Sequence, residues 1–171
     1  GAIQPIEQMG RLARRFGLMF LVDAAQSAGI VPISMREQCI DLLAVPGHKA
    51  MLGPTGTGAL LVGHRAEPRA WREGGTGGDS ASSTQPAEYP HWLEGGTPNT
   101  VGLAGLSAAL DEIEQRGSAA ILEHERALAG QLIEEFTRDA RFRVLGPRDR
   151  ASCTGVVSFV ATGLSAQDLA T

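Results

Sequence analysis

Lys49 is the residue with the clearest chemical potential, because it is the only lysine in a chain that otherwise uses arginine for positive charge. Lysine and arginine together number 15, and every one of them except Lys49 is an arginine. An arginine guanidinium stays protonated and cannot form an imine, whereas a lysine ε-amine can. The composition therefore favours amine chemistry at Lys49. A surface lysine retained by chance is the alternative that composition leaves open.

Lys49 and three other polar residues follow two apolar segments of strand length. Asp23 and Gln26 come after residues 18–22, and His48 and Lys49 come after residues 40–45. Ligands of open α/β sheets bind at the carboxyl ends of the strands. If the two strands are neighbours, we expect a carboxylate, an amide, an imidazole and an amine to converge on one cleft.

Pyridoxal-phosphate (PLP) chemistry needs this set of groups. Lys49 would form the Schiff base that is exchanged for a substrate amine. Asp23 would keep the pyridine nitrogen protonated, so that the ring can accept the electrons of a carbanion. Gln26 could donate a hydrogen bond to the phenolate oxygen, and His48 could stack on the ring, contact the phosphate or move protons. Each residue also has an ordinary explanation: Asp23 could cap a turn, and His48 could be an interior histidine.

The elements that must position these residues indicate an α/β fold. Apolar residues at three- and four-residue spacing after Pro5 predict an amphipathic helix that ends at Gly17. Residues 18–22 and 40–45 predict strands, the first of them buried on both faces. A glycine-rich turn at 53–58 precedes a third strand at 59–62. Helix, strand, connection and strand in this order indicate an α/β sheet.

The second half of the chain predicts a long loop and the start of another unit. Residues 74–99 are rich in Gly, Ser, Thr and Pro, and a loop of that length is usually functional or disordered. Helices are predicted at about 101–115 and 118–139, with a solvated charged face at 123–126. Strands are predicted at 141–145 and 154–160. We therefore place residues 1–115 in one domain, and residues 116–171 at the start of a second α+β domain.

Four motifs in this order resemble the class V aminotransferase family. They are Phe-Leu-Val-Asp-Ala-Ala-Gln at 20–26, Gly-His-Lys at 47–49, Gly-Pro-Thr-Gly-Thr-Gly at 53–58 and Glu-Gly-Gly-Thr-Pro-Asn at 94–99. The resemblance covers essentially the whole chain and is closest to the cysteine desulfurase and selenocysteine lyase branch. It implies the type I PLP fold, in which a large domain with a mixed, mostly parallel sheet precedes a smaller C-terminal domain.

The resemblance also implies a role for each site residue. Asp23 would be the pyridinium partner and Gln26 the phenolate partner, with Lys49 as the Schiff-base lysine and His48 beside the cofactor phosphate. Thr97 would reach the phosphate of the neighbouring subunit in a homodimer with shared active sites. Residues 72–76, which open the long loop, could line the mouth of that site.

The sequence departs from the family pattern in three places. Pro46 stands where relatives often have a phosphate-binding Ser or Thr, and it has neither a hydroxyl nor an N–H. The family's catalytic cysteine and carboxylate-binding arginine lie in regions that this chain does not contain, as does an upstream ring-stacking histidine. Cys153 comes too early to be the sulfur-accepting cysteine. We therefore interpret the chain as an internal fragment.

The implied activity is the removal of sulfur from L-cysteine, giving alanine and an enzyme persulfide whose sulfur passes to an acceptor protein. The same residues would serve selenocysteine lyase, aminotransferase or kynureninase-like chemistry. A different class of function is a catalytically silent fragment that acts as a dimerisation module. A nucleotide-binding protein that uses residues 53–58 is disfavoured, because the Gly-Lys-Ser/Thr ending of a P-loop is missing.

Charge, hydropathy and cysteine spacing give further indications about the partners and location of the protein. The net charge is −4, and no basic cluster with interleaved aromatic residues argues for nucleic acid or a membrane surface as a partner. No apolar run is long enough to cross a bilayer. The two cysteines, Cys39 and Cys153, have no metal-ligand or disulfide spacing, and Cys39 is interpreted as a small apolar side chain. We therefore expect a cytoplasmic protein.

Overall fold

A mixed three-stranded sheet carries most of the predicted site residues. The computed structural model describes residues 1–75 and 81–170. Strand β1 (Leu21–Asp23) pairs in parallel with β2 (Leu42–Pro46), and β2 pairs in antiparallel with β3 (Gly58–Val62). The strand order is β1-β2-β3, so β2 is central and its neighbours are edge strands among the described residues.

The first strand begins later than the sequence predicts. The Leu18 N–H donates to the Ala13 carbonyl at 2.9 Å, so it closes the end of the preceding helix and residues 18–20 lie outside the strand. The strand also includes Asp23, which follows the predicted strand at residues 18–22. The prediction of burial on both faces is wrong here, since Leu21 is 53% exposed. No element of residues 1–75 or 81–170 covers that side of the strand.

The core of this unit lies between the sheet and the segments that flank it. Helix α1 (Ile6–Arg15) precedes β1, as predicted, and approaches the chain near Gln38 so closely that a Cβ on Gly10 would overlap the Gln38 carbonyl oxygen. Apolar burial of this kind supplies most of the stabilisation of a small unit. The buried residues of the cluster are Val22, Ala24, Ala28, Ile40 and Leu43.

Two helices follow the long loop. Helix α2 (Thr100–Arg116) begins after Asn99, whose side chain accepts a hydrogen bond from the Gly102 N–H at 3.0 Å. Helix α3 (Ser118–Arg138) is separated from α2 by Gly117, which has φ of 79°. Both helices match their predicted spans closely. None of the helices in residues 1–75 and 81–170 combines the length and apolar character needed to span a bilayer.

A second, two-stranded sheet packs against α3. Strands β4 (Phe142–Leu145) and β5 (Ser158–Ala161) are antiparallel, with a 3₁₀ turn at Arg150–Ser152 between them and a short helix α4 (Ala166–Leu169) after them. The Phe136 ring lies 4.6 Å from that of Phe142 and 4.3 Å from that of Phe159. This aromatic cluster holds the small sheet on the helix.

The strand predicted at 154–160 starts only at Ser158. Residues before it pair with the beginning of the chain instead: Ala2 forms a bridge with Cys153, and the Thr154 N–H donates to the Gly1 carbonyl at 3.0 Å. The first residues of the chain therefore contact the segment that we assigned to the second domain. The domain boundary at residue 115 stays a prediction.

Asp41 is a buried carboxylate at the end of the sheet opposite Lys49. It is 2% exposed, and it accepts hydrogen bonds from the Phe20 N–H at 2.9 Å and from Arg65 at 3.2 Å. The Arg14 guanidinium of α1 lies 3.9 Å away. Since a buried charge is tolerated only when it is paired, this contact joins α1, β2 and the segment after β3.

Replacement of Asp41 by Asn should therefore destabilise the protein. The variant keeps the shape but loses the charge, so the partly buried Arg65 has no ion partner. We expect a loss of about 3 kcal/mol in the free energy of unfolding, measured by urea denaturation. The exposed control Asp111→Asn should change it by less than about 0.5 kcal/mol. Equal losses in the two variants would contradict this account of Asp41.

Candidate cofactor site at the carboxyl end of the sheet

Asp23 and Gln26 lie where the chain turns at the end of β1. Asp23 is the last residue of the strand, and its Oδ1 accepts a hydrogen bond from the Ala25 N–H at 3.0 Å. The next residues form a helical turn in which the Ala24 carbonyl accepts from the Ser27 and Ala28 N–H groups. Asp23 thus caps the turn with one oxygen. Its Oδ2 makes no hydrogen bond to any residue that the structure describes.

Lys49 lies in a closed turn after β2. The turn is fixed by backbone hydrogen bonds from the Gly53 N–H to the Gly47 carbonyl at 2.7 Å and from the Gly47 N–H to the Thr57 carbonyl at 2.8 Å. Within it, the Leu52 N–H donates to the Lys49 carbonyl at 2.9 Å. The backbone of Lys49 is therefore held, while its side chain is exposed and free to meet a ligand.

The two turns pack directly against each other. Gly29, in the turn after Asp23, has φ of +88°, and a Cβ there would lie 3.1 Å from the Ala50 carbonyl oxygen. The Ala24 N–H also donates to the Ala44 carbonyl at 2.9 Å, extending the pairing of β1 and β2. The structure therefore brings the turns that carry Asp23, Gln26 and Lys49 to one edge of the sheet.

Two cavities at this edge share Gln26. One, of about 400 Å³, is lined by Gln26 and Lys49, and the other, of about 360 Å³, is lined by Asp23 and Gln26. Both volumes are within the usual range for small-ligand sites. His48 and Thr97 line neither cavity. All five predicted site residues are exposed.

Helix α2 supports the Lys49 turn, a contact that the sequence analysis missed. The methyl Cδ1 of Leu106 lies 2.6 Å from the position of a Cβ on Gly53, and Pro54 packs as closely on Gly105. Gly102 similarly faces Thr57. Gly102, Gly105 and Leu106 lie on one helical face, and this spacing of small residues is the signal that could have predicted close packing.

The predicted solvated face at 123–126 is wrong for two of its residues. Arg126 is half-buried and donates to the Cys153 carbonyl at 2.9 Å and the Ala151 carbonyl at 2.7 Å. Glu125 lines the cavity of Lys49, with its carboxylate against Gly155. Helix α3 therefore forms one wall of the candidate site.

The side chains at this edge fit PLP. The cofactor needs an amine for its aldehyde and a carboxylate for its pyridine nitrogen. Lys49 carries such an amine, and Asp23 carries such a carboxylate, whose Oδ2 accepts no hydrogen bond from the residues that the structure describes. A P-loop does not fit residues 53–58, because the turn is followed by strand β3 rather than a helix. Within the described part of the chain, no group of three or more His, Cys, Asp or Glu could hold a metal ion.

Comparison with known proteins decides the family. The model of the family "Aminotransferase class-V" matches residues 1–171. The chain belongs to this family. The predicted family is therefore confirmed, and membership implies PLP as the cofactor.

Two similar relatives within this family are named probable cysteine desulfurases. A probable cysteine desulfurase from Halalkalibacterium halodurans is 35% identical over 100% of this chain and 42% of its own length. A second, from Pyrococcus abyssi, is 33% identical over 99% of the chain and 43% of its own length. The chain thus spans less than half the length of these relatives.

Solved structures of two cysteine desulfurases are similar to this chain over 99% of its length. The apo structure of a cysteine desulfurase from Thermococcus onnurineus has a TM-score of 0.80 at 35% identity, over 99% of this chain and 43% of that one. A cysteine desulfurase from Escherichia coli in its S-sulfonic acid form has a TM-score of 0.84 at 28% identity, over 99% and 42%. The predicted fold class, α/β with part of the type I large-domain sheet, is confirmed.

Substitution of Gly53 by Ala should disrupt the turn that holds Lys49. The new Cβ would meet the Gly47 carbonyl at 2.9 Å and Leu106 at 2.6 Å, and the carbonyl is fixed by its hydrogen bond to the Gly53 N–H. We expect a loss of about 1–3 kcal/mol in the free energy of unfolding, measured by urea denaturation. Gly75→Ala is the control, since a Cβ at Gly75 meets no atom of the described residues within 4 Å. An unchanged midpoint for Gly53→Ala would show that the turn can move.

Proposed function

We propose that the protein containing this chain is a PLP-dependent cysteine desulfurase, which removes sulfur from L-cysteine and releases alanine. The observation that carries the proposal is that Lys49 and Gln26 line one cavity, at the sheet edge where Asp23 ends β1. The relatives named cysteine desulfurase support this choice of reaction within the family.

Each site residue has a part in this proposal. When bound, PLP supplies the electron sink for a carbanion at the substrate carbon. Lys49 would hold the cofactor through its Nζ amine and would move a proton at that atom. Asp23 would accept the pyridinium N–H with Oδ2, and Gln26 would donate its amide N–H to the phenolate oxygen. His48 would contact the phosphate.

The sulfur transfer needs a thiol that neither cysteine of this chain offers. Cys153 is 6% exposed, and its Sγ lies 3.5 Å from the Pro147 carbonyl. Cys39 precedes β2, at the opposite end of that strand from Lys49. We propose that a cysteine outside residues 1–171 attacks the substrate sulfur as thiolate. The carbon–sulfur bond breaks, the attacking thiol becomes a persulfide, and the substrate carbon takes a proton to leave as alanine.

The assembly and location of the protein are further parts of the proposal. We propose that Thr97, which is exposed, reaches the phosphate of a neighbouring subunit in a homodimer with shared active sites. The persulfide sulfur would pass to an acceptor protein. We place the enzyme in the cytoplasm.

The second candidate function is that of a chain without catalytic activity. All five site residues are exposed in the part of the chain that the structure describes. Electrostatic catalysis needs a site from which water is excluded. This exposure favours a chain that is inactive by itself and acts as a dimerisation module.

Lys49→Ala provides the direct test of the cofactor assignment. The wild-type protein should form a visible absorbance band with PLP. Because Lys49 is the only lysine among residues 1–171, borohydride reduction should fix the cofactor on Lys49 and on no other residue of this range in a peptide map. The variant should show neither signal. Arg116→Lys is the matched control: it adds an exposed lysine on α2 and should leave the adduct on Lys49.

The reaction is tested on the protein at its natural length with L-cysteine and a thiol reductant. We expect alanine and sulfide in equal amounts from the wild type, and at least about 10³-fold less from Lys49→Ala. A PLP adduct on Lys49 without alanine release would favour other class V chemistry. Absence of the adduct would favour the silent module.

A further inference from the structure

Two segments at the start and end of the long loop, residues 73–75 and 94–96, are in direct backbone contact. The second segment ends just before Thr97. The Gly96 N–H donates to the Gly75 carbonyl at 2.9 Å. A Cβ on Gly95 would lie 3.1 Å from the Gly74 nitrogen and 3.1 Å from the Glu73 carbonyl carbon. A Cβ on Gly95 would require one of the two backbones to shift by a few tenths of an ångström. Residues 73–75 and 94–96 thus form a paired segment.

Gln85 bridges this paired segment with its side-chain amide. Its Oε1 accepts from the Gly74 N–H at 3.4 Å, and its Nε2 donates to the His91 carbonyl at 2.6 Å and the Glu94 carbonyl at 3.3 Å. The opposite orientation of the amide would set its oxygen against two carbonyls and its NH₂ against an N–H. The contacts therefore need a group with one acceptor and two donors, which is what a glutamine amide provides.

The contacts of Gln85 fix the chain on one side of Thr97, and α2 fixes it on the other. Thr97 follows Gly96, whose N–H is bonded to Gly75, and precedes Asn99, which caps the helix by accepting from the Gly102 N–H. The Trp92 Nε1–H also ties the loop to the Pro68 carbonyl at 3.1 Å. The Thr97 hydroxyl is exposed but carried on a backbone that is held at both ends.

We propose that Gln85 is a positioning residue for the phosphate end of the cofactor, acting through residues 94–97. The inference rests on the proposed function, since it takes Thr97 to be a phosphate contact. A hydroxyl held in place binds a phosphate oxygen without first losing the conformational freedom of its loop, so release of the loop should weaken phosphate binding. Chemistry at the aldehyde, which Lys49 serves from a separate turn, does not depend on Gln85.

The test compares PLP with pyridoxal, which has the same ring and aldehyde but no phosphate. Gln85→Leu removes all three hydrogen bonds, and Gln85→Glu keeps the acceptor while losing both donors. On the protein at its natural length, both variants should bind PLP about tenfold more weakly, in titrations of the Schiff-base absorbance. Both should bind pyridoxal as the wild type does. Gln115→Leu, on the exposed face of α2, is the matched control and should bind both compounds normally.

A second readout needs no cofactor. In the apoprotein, the Gly96 amide should exchange with deuterium faster in both Gln85 variants than in the wild type, because its hydrogen bond to Gly75 loses the neighbouring support. The amide of Gly53, in the Lys49 turn, should exchange at an unchanged rate.

The outcomes separate this inference from the function on which it rests. If the wild type forms no Schiff base with PLP, the proposed function fails and the inference fails with it. If the wild type binds PLP and the Gln85 variants bind it equally well, the inference alone is wrong. Equal weakening of PLP and pyridoxal would also overturn it, since that would show a general structural role.

Discussion

The parallel pairing of β1 with β2 is the constraint on which the site depends. Because Leu21, Val22 and Asp23 run in register with Leu42, Leu43 and Ala44, both strands end at the same edge of the sheet. The chain after each strand must then turn at that edge, one turn carrying Asp23 and Gln26 and the other Lys49. An antiparallel pairing of these two strands would put the carboxylate and the amine at opposite ends.

Close packing at glycine residues fixes the positions of the turns at this edge of the sheet. Gly29 lets the first turn reach the Ala50 carbonyl, and Gly53 lets the second turn close beneath Leu106 of α2. In each place a side chain would meet backbone atoms that hydrogen bonds or neighbouring turns hold fixed. The long loop is packed in the same way at Gly95, where the backbone before Thr97 lies against residues 73–75. The positions of the functional groups are thus set by backbone contacts rather than by contacts among the groups themselves.

Much of this arrangement could be predicted from the sequence, for physical reasons that also explain the errors. The apolar segments before Asp23 and Lys49 predict strands, because apolar segments of this length need burial. The polar residues that follow each segment mark the end of its strand. The two boundary errors have different causes. At residues 18–20, the Leu18 N–H bonds back to the end of α1, and at residues 154–157 the chain pairs instead with its distant first residues, as in the Thr154–Gly1 hydrogen bond. The small residues Gly102 and Gly105 indicate close packing at α2, but the sequence does not name its partner turn at Gly53. The side-chain hydrogen bonds of Gln85 and Arg126 to backbone carbonyls follow no periodicity that a single sequence would show. The roles of Asp23, Gln26, His48, Lys49 and Thr97 stay predictions.

The central claim is that Asp23 and Lys49 act on opposite sides of one PLP ring. The most direct measurement is the ¹⁵N NMR shift of the pyridine nitrogen in labelled PLP bound to the protein. We predict a protonated nitrogen in the wild type and an unprotonated one in Asp23→Ala, with the Schiff base on Lys49 retained in both. A pyridine nitrogen with the same shift in the two proteins would contradict the account.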